Sequence, residues 1–91
     1  MTKPEIQAAL TAGATVLDVR TREEHATGAY PGALNIPVQE LAQRLAEVPR
    51  DQPLVIYCAA GVRAATAVKL LQEAGFADDT SAGGFGDMPV Q

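Results

Sequence analysis

Tryptophan is absent from this 91-residue chain, and cysteine and histidine occur once each, as Cys58 and His25. A single cysteine permits no internal disulfide and no Cys-x-x-Cys redox pair. Anything formed on its sulfur must therefore be resolved by an external molecule. Cys58 and His25 also fall short of the four ligands of a zinc site within one chain, so neither a metal nor another cofactor is expected. Basic residues are few, seven Lys and Arg against eleven Asp and Glu, for a net charge of −4. That balance excludes nucleic acid as a partner, since binding it needs a basic surface. It still allows a small anion in a locally positive pocket. No apolar run reaches the roughly 20 residues of a membrane span, so no membrane partner is expected. The opening Met1-Thr2-Lys3-Pro4-Glu5 lacks the apolar stretch of a secretory signal, and the expected location is cytoplasmic. What is present, 47% hydrophobic residues with ordinary charge content, is the composition of one soluble globular domain over residues 1–91.

Helix and strand signals alternate along the chain. Thr2-Lys3-Pro4-Glu5 has the form of a capping box with proline in the first turn. It predicts a helix to about Ala12, with Ile6, Ala9 and Leu10 on its apolar face and Gly13 ending it. Residues 15–19, rich in β-branched side chains, predict a strand with Asp18 and Arg20 at its far end. Thr21-Arg22-Glu23-Glu24 repeats the capping box for a short helix closing near Gly28. Tyr30-Pro31-Gly32 marks a turn, and residues 33–36 a short strand stopped by Pro37. Val38, Leu41, Ala42, Leu45 and Val48 trace a helical face. The apolar run 54–57 reads as a buried strand, and Ala64, Ala67, Val68, Leu71 and Ala74 recur at helical spacing. Beyond Phe76, residues 77–81 are only a weak strand candidate, and the stretch holding Gly83, Gly84 and Gly86 reads as loop. Such alternation implies an α/β fold of parallel β-α-β units with right-handed crossovers. The C-terminal strand ends then share the edge where these sheets hold ligands. Asp18, Arg20 and Cys58 all fall on that edge.

Cys58 stands where the apolar strand breaks into a glycine-bearing loop that opens a helix. A lone cysteine ending a hydrophobic strand is, on that ground alone, an inert core residue. The helix start changes its surroundings. Unpaired N–H groups and the positive end of the helix dipole face it, and both favour the nucleophilic thiolate. Gly61 permits a tight curve, and Arg63 returns a positive charge to the loop. The candidate nucleophile is therefore Cys58, enclosed by Ala59, Ala60, Gly61, Val62 and Arg63. Arg63 either holds an anionic donor or pairs with a carboxylate, and its place in the loop favours the first. For Asp18 and Arg20, which support the active edge, an ion pair tying strand to loop is favoured over a direct part in shaping it. His25, in a charged helical segment, reads as a solvated surface residue. Tyr57 points opposite to Cys58 along the strand and reads as core.

Three stretches together form a recognisable pattern. They are Leu17-Asp18-Val19-Arg20 followed by Glu23-Glu24, then Gly28-Ala29-Tyr30-Pro31-Gly32-Ala33-Leu34-Asn35-Ile36-Pro37, then Tyr57-Cys58-Ala59-Ala60-Gly61-Val62-Arg63 leading to Leu70-Leu71 and Ala74-Gly75-Phe76, with an echo at Gly83-Gly84. In this order and spacing the chain resembles a single-domain rhodanese, a sulfurtransferase module. The resemblance implies a three-layer domain with a central parallel five-stranded sheet flanked by helices, and a six-residue active loop from Cys58 to Arg63. It also implies the chemistry. The thiolate attacks the outer sulfur of thiosulfate or a similar small anionic donor, expels sulfite, and holds a persulfide. Cyanide, a thiol or another thiophilic acceptor then takes the sulfur, a sulfur-accepting protein among them. Ala59 stands where relatives often have a basic residue, so Arg63 is the only charged group within the loop.

Two other classes compete. Cysteine phosphatases and arsenate reductases place five residues between cysteine and arginine, making a loop wide enough for a tetrahedral anion. Here there are four, which crowds such an anion. The third reading is a non-enzymatic binding or sulfur-carrier module. Cys58, Gly61 and Arg63 speak for the enzyme, because a purely structural domain needs none of them.

Overall fold

The computed structural model describes residues 2–89. Its strands are β1 (Thr15–Asp18), β2 (Leu34–Asn35), β3 (Leu54–Cys58) and β4 (Asp79–Gly84), and its α-helices are α1 (Lys3–Thr11), α2 (Arg22–Thr27) and α3 (Val62–Glu73). The strands form one parallel sheet in the order β2-β1-β3-β4. Among the described residues the sheet thus has four strands, where five were expected. The flanks are taken up otherwise: Thr2 caps α1, and Phe85–Asp87 turns into a 3-10 helix straight after β4.

Both predicted capping boxes form. Thr2 accepts from the Glu5 N–H while the Glu5 carboxylate accepts from the Thr2 N–H, and Thr21 and Glu24 repeat the arrangement at the start of α2. Each box satisfies two amides that a helix start leaves open. The expected helix over 38–48 is instead two 3-10 segments, Val38–Gln43 and Leu45–Glu47, broken at Arg44 with φ −121°. Its apolar residues explain the geometry. Val38 and Leu41 are three apart, as are Leu45 and Val48, and a three-residue turn stacks such pairs. Leu41 and Val48 are buried, whereas Ala42, which an α-helical face would bury, is exposed. The tail differs as well. β4 extends through Gly83 and Gly84, because pairing with the wholly buried β3 overrides glycine's poor strand propensity.

Period-2 alternation in β3 builds the core on both faces. Leu54, Ile56 and Cys58 join Leu17, Val19, Leu41, Ala64, Ala67, Leu71 and Phe76 in the layer under α3. Val55 and Tyr57 join Ile6, Val16, Ala82 and Met88 in the layer under α1. Full burial of an aliphatic side chain of this size contributes about 1.5–3 kcal/mol, and the larger cluster is the one that carries the active loop's helix. No helix of the described residues is long and apolar enough to cross a membrane.

Candidate active site

β3 carries Cys58 to the C-terminal edge of the sheet and turns its sulfur toward the α3 layer. The residue is 1% exposed. Its Sγ accepts hydrogen bonds from the N–H of Gly61 at 3.0 Å and of Ala64 at 3.3 Å. Gly61 makes that curl possible, with φ +106° at the position capping α3. Two amides aimed at the sulfur, with the positive helix end behind them, stabilise negative charge there. Ala59, Ala60 and Val62 form the outer rim and face solvent.

The underside of the loop rests on β4. A Cβ at Gly84 would overlap the Ala59 carbonyl oxygen and lie 3.3 Å from the Ala60 Cα, and one at Gly61 would lie 3.5 Å from the Gly83 Cα. Backbone meets backbone here, which only glycine allows. A bulge sets the contact. Ile56 pairs with Ser81 and Tyr57 with Gly83, leaving Ala82 as the extra residue. The Gly83 N–H donates to Ser81 Oγ at 3.1 Å, and the Gly84 N–H to Asp87 Oδ2 at 2.8 Å. These glycines are the site residues that sequence reasoning left in a loop. Their one signal was adjacency, two glycines in succession near the end of an α/β unit.

Asp18 organises the opposite face of the edge. It accepts from Arg20 N–H at 2.9 Å, from Arg20 Nη2 at 2.8 Å and from the Tyr57 hydroxyl at 2.9 Å, and His25 Nδ1 lies 3.0 Å away. Arg20 Nη2 also donates to the Gly28 carbonyl at 2.7 Å. The ion pair expected of Asp18 and Arg20 therefore exists and ties β1 to the loop after α2. Burial opposes charge on Asp18, but these hydrogen bonds, led by those of Arg20, hold its carboxyl below the usual range. Burial pushes the Tyr57 phenol up. Tyr57 is wholly buried, as its reading as core required. His25 is a correction: it is not a solvated surface residue but a half-buried partner of Asp18. A buried carboxylate lies under α2, and the imidazole is the side chain of that helix within its reach. The Arg20 guanidinium also lies over the rings of Tyr57 and Phe85, 5.2 Å and 4.6 Å from their centroids.

Arg63 lies in the loop, and its guanidinium grips Glu24 with both Nη groups, at 2.7 Å and 3.0 Å. This is the carboxylate pairing weighed against donor binding in the sequence. Glu24 Oε1 also accepts from the Thr21 N–H at 3.0 Å, so one carboxylate closes the α2 cap and holds the active loop. Arg63, then the Thr21 amide, lower the Glu24 pKa from 4.5 to about 2. Hydrogen bonding to Glu24 raises that of Arg63, and attraction to Cys58 adds to it. Among the described residues no group of three or more His, Cys, Asp and Glu side chains is arranged to hold a metal ion.

Residues 2–85 match the family model described as a rhodanese-like domain. Over 80% of its length the chain is 41% identical to human thiosulfate:glutathione sulfurtransferase, covering 76% of that protein. It is 48% identical over 67% of its length to a helix-turn-helix-type transcriptional regulator of Mycobacterium tuberculosis, but spans only 28% of it. Among solved structures, a human single-domain sulfurtransferase superposes with a TM-score of 0.76 at 34% identity, over 89% of this chain and 85% of that one. With the cysteine, the glycine-bearing loop and the strand order of the sheet in place, the chain belongs to the rhodanese-like family and is an enzyme of the rhodanese, thiosulfate sulfurtransferase-like, type.

Proposed function

We propose that this protein, acting as a single domain, transfers sulfane sulfur from a small sulfur donor to a thiophilic acceptor through a persulfide on Cys58. The observation that carries the reading is the sulfur of Cys58 receiving two backbone N–H groups inside a strand-to-helix loop. With thiosulfate as donor, the Cys58 thiolate forms a bond to the outer sulfur. The sulfur–sulfur bond of the donor breaks, and its electron pair leaves with sulfite. The loop amides then face the persulfide anion as they faced the thiolate. In the second half, cyanide or a thiolate attacks the terminal sulfur and Cys58 departs as thiolate. One sulfur transfer becomes two displacements at the same atom.

Supplying thiosulfate and recording the intact mass tests this. A gain of one sulfur is expected, reversed by dithiothreitol and absent in Cys58→Ser, together with cyanide-dependent thiocyanate formation. The same gain in Cys58→Ser would overturn the reading. Loading without thiocyanate formation would assign the domain to sulfur carriage.

A further inference from the structure

Arg63 is the one cation of the active loop, and it is occupied. Its two Nη groups hold Glu24 at 2.7 Å and 3.0 Å. Arg20, on the same edge, is buried on Asp18, and Arg22 of α2 is taken by Glu40. Ala59, Ala60, Gly61 and Val62 add no charge. The position of Arg63 gives its pairing weight. The amide directly after it, that of Ala64, donates to the Cys58 sulfur at 3.3 Å, and the guanidinium and the Cys58 thiolate attract one another. Arg63 is thus the cation placed to meet negative charge arriving at the sulfur.

The two partners are not equally free. Glu24 is fixed to the start of α2: its N–H donates to Thr21 Oγ1 at 3.1 Å, and its Oε1 accepts from the Thr21 N–H at 3.0 Å. Among the described residues the Arg63 guanidinium hydrogen-bonds to Glu24 alone. Both side chains are about one-third exposed, at 32% and 34%, so an anion from solvent can reach the pair. It finds a carboxylate already in the bidentate place it would take. Glu24 titrates at about 2, so this competitor stays charged at neutral pH and yields to anions rather than to protons.

Resting on the sulfurtransferase reading, we infer that Glu24 is a positioning residue for donor capture: it holds the Arg63 guanidinium where the anionic end of a donor would bind, and so sets the charge selectivity of the active loop. A thiosulfate dianion has to draw Arg63 away from Glu24, whereas an uncharged reagent meets no such competition. Only hydrogen bonds change in this exchange, and sulfur transfer itself runs as described above. Competition with a partly exposed ion pair weakens capture of the anion by about two- to fivefold.

The test uses the full chain and two variants. Glu24→Gln keeps an oxygen for the Thr21 amide, and with it the α2 cap, but removes the charge that holds Arg63. Glu23→Gln, an exposed neighbour on α2, makes the same change in net charge away from that pair. Cys58 is alkylated with iodoacetate and with iodoacetamide, which react at the same sulfur and differ in charge. The iodoacetate-to-iodoacetamide rate ratio should rise about two- to fivefold in Glu24→Gln, shrink toward the wild-type value at high salt, and hold at the wild-type value in Glu23→Gln. The thiosulfate concentration that half-saturates loading should fall by the same factor in Glu24→Gln, with the rate at saturation and discharge to dithiothreitol unchanged. An unmoved ratio, or an equal rise in Glu23→Gln, would overturn the inference. Slowing of both alkylating reagents and of both half-reactions in Glu24→Gln would overturn it too, and would make Glu24 a support of the loop; all three results leave the sulfurtransferase reading standing. Absence of loading by thiosulfate in every protein would instead bring down that reading, and this inference about its donor with it.

Discussion

Two aspartates are buried at opposite ends of the sheet, and they behave in opposite ways. Asp18, at the C-terminal end of β1, is answered by Arg20, Tyr57 and His25. Asp79, at the start of β4, is 8% exposed, and among the described residues no other group gives either of its carboxylate oxygens a hydrogen bond. Burial is the leading influence on both. At Asp18 the donors outweigh it and the carboxyl titrates low; at Asp79 they are missing and it titrates high. The molecule thus concentrates its polar satisfaction at the edge that holds Cys58. A buried charge contributes to the fold only as far as its partners reach.

The largest way to break this contrast is Asp18→Ala. It strands the Arg20 guanidinium, 6% exposed, and should cost about 3–5 kcal/mol in urea unfolding. Gly84→Ala attacks the same edge through the backbone. Its Cβ would displace the Ala59 carbonyl, so a stability loss of about 1–3 kcal/mol is expected, with a larger proportional loss in the rate of Cys58 loading. Asp79→Asn should carry the opposite sign, stabilising the fold at pH 7 by about 1 kcal/mol, because a desolvated charge is removed. Its pH dependence sharpens the contrast. The folded Asp79 pKa lies above the ordinary 3.8, so the wild type loses stability as pH rises from there through the folded value. The gain from Asp79→Asn should therefore vanish below that window. Parallel unfolding curves at pH 7 and pH 3 would reveal it.

The smallest effect belongs to Glu24→Gln. Glutamine can still close the α2 cap, leaving only the pair with Arg63 weakened. That pair is about one-third exposed on both sides, so at most about 1 kcal/mol is at stake. Glu24 titrates in the fold at about 2, below its ordinary 4.5. The stability the pair contributes is accordingly present above 4.5 and lost as pH falls through about 2. The difference between wild type and Glu24→Gln should hold constant from neutral pH down to about 4.5 and close below it. A constant difference at all pH values would assign Glu24 to packing alone.

What the sequence disclosed follows the range of the interactions involved. Both capping boxes, the strand 54–58, the helix after Gly61 and the place of Cys58 were legible, since each depends on neighbours a few residues apart. The Asp18–Arg20 pair was legible for the same reason. His25 was not, because its partner is reached only after α2 folds back over β1. Nor was the pairing of Arg63 with Glu24, 39 residues away, distinguishable from anion binding. The 3-10 character of 38–48 hid behind a pattern that helices of three and of 3.6 residues per turn share. β4 was legible only as a weak strand over 77–81, because the glycines that complete it say loop while their backbone pairs with β3. The missing fifth strand belonged to the family pattern and not to any residue of this chain.

The bulge at Ala82 has a consequence for how the active loop can vary. It lifts Gly83 and Gly84 to the height at which β4 meets the Ala59 carbonyl and Gly61. The curvature of the loop is thereby gauged against main chain rather than against the side chains of its own rim. Residues 59, 60 and 62 are exposed and free to change in charge and bulk while the two amides at Cys58 stay where they are. Shape and selectivity are separable here: one strand keeps the form, and three outward positions are left to choose the clientele.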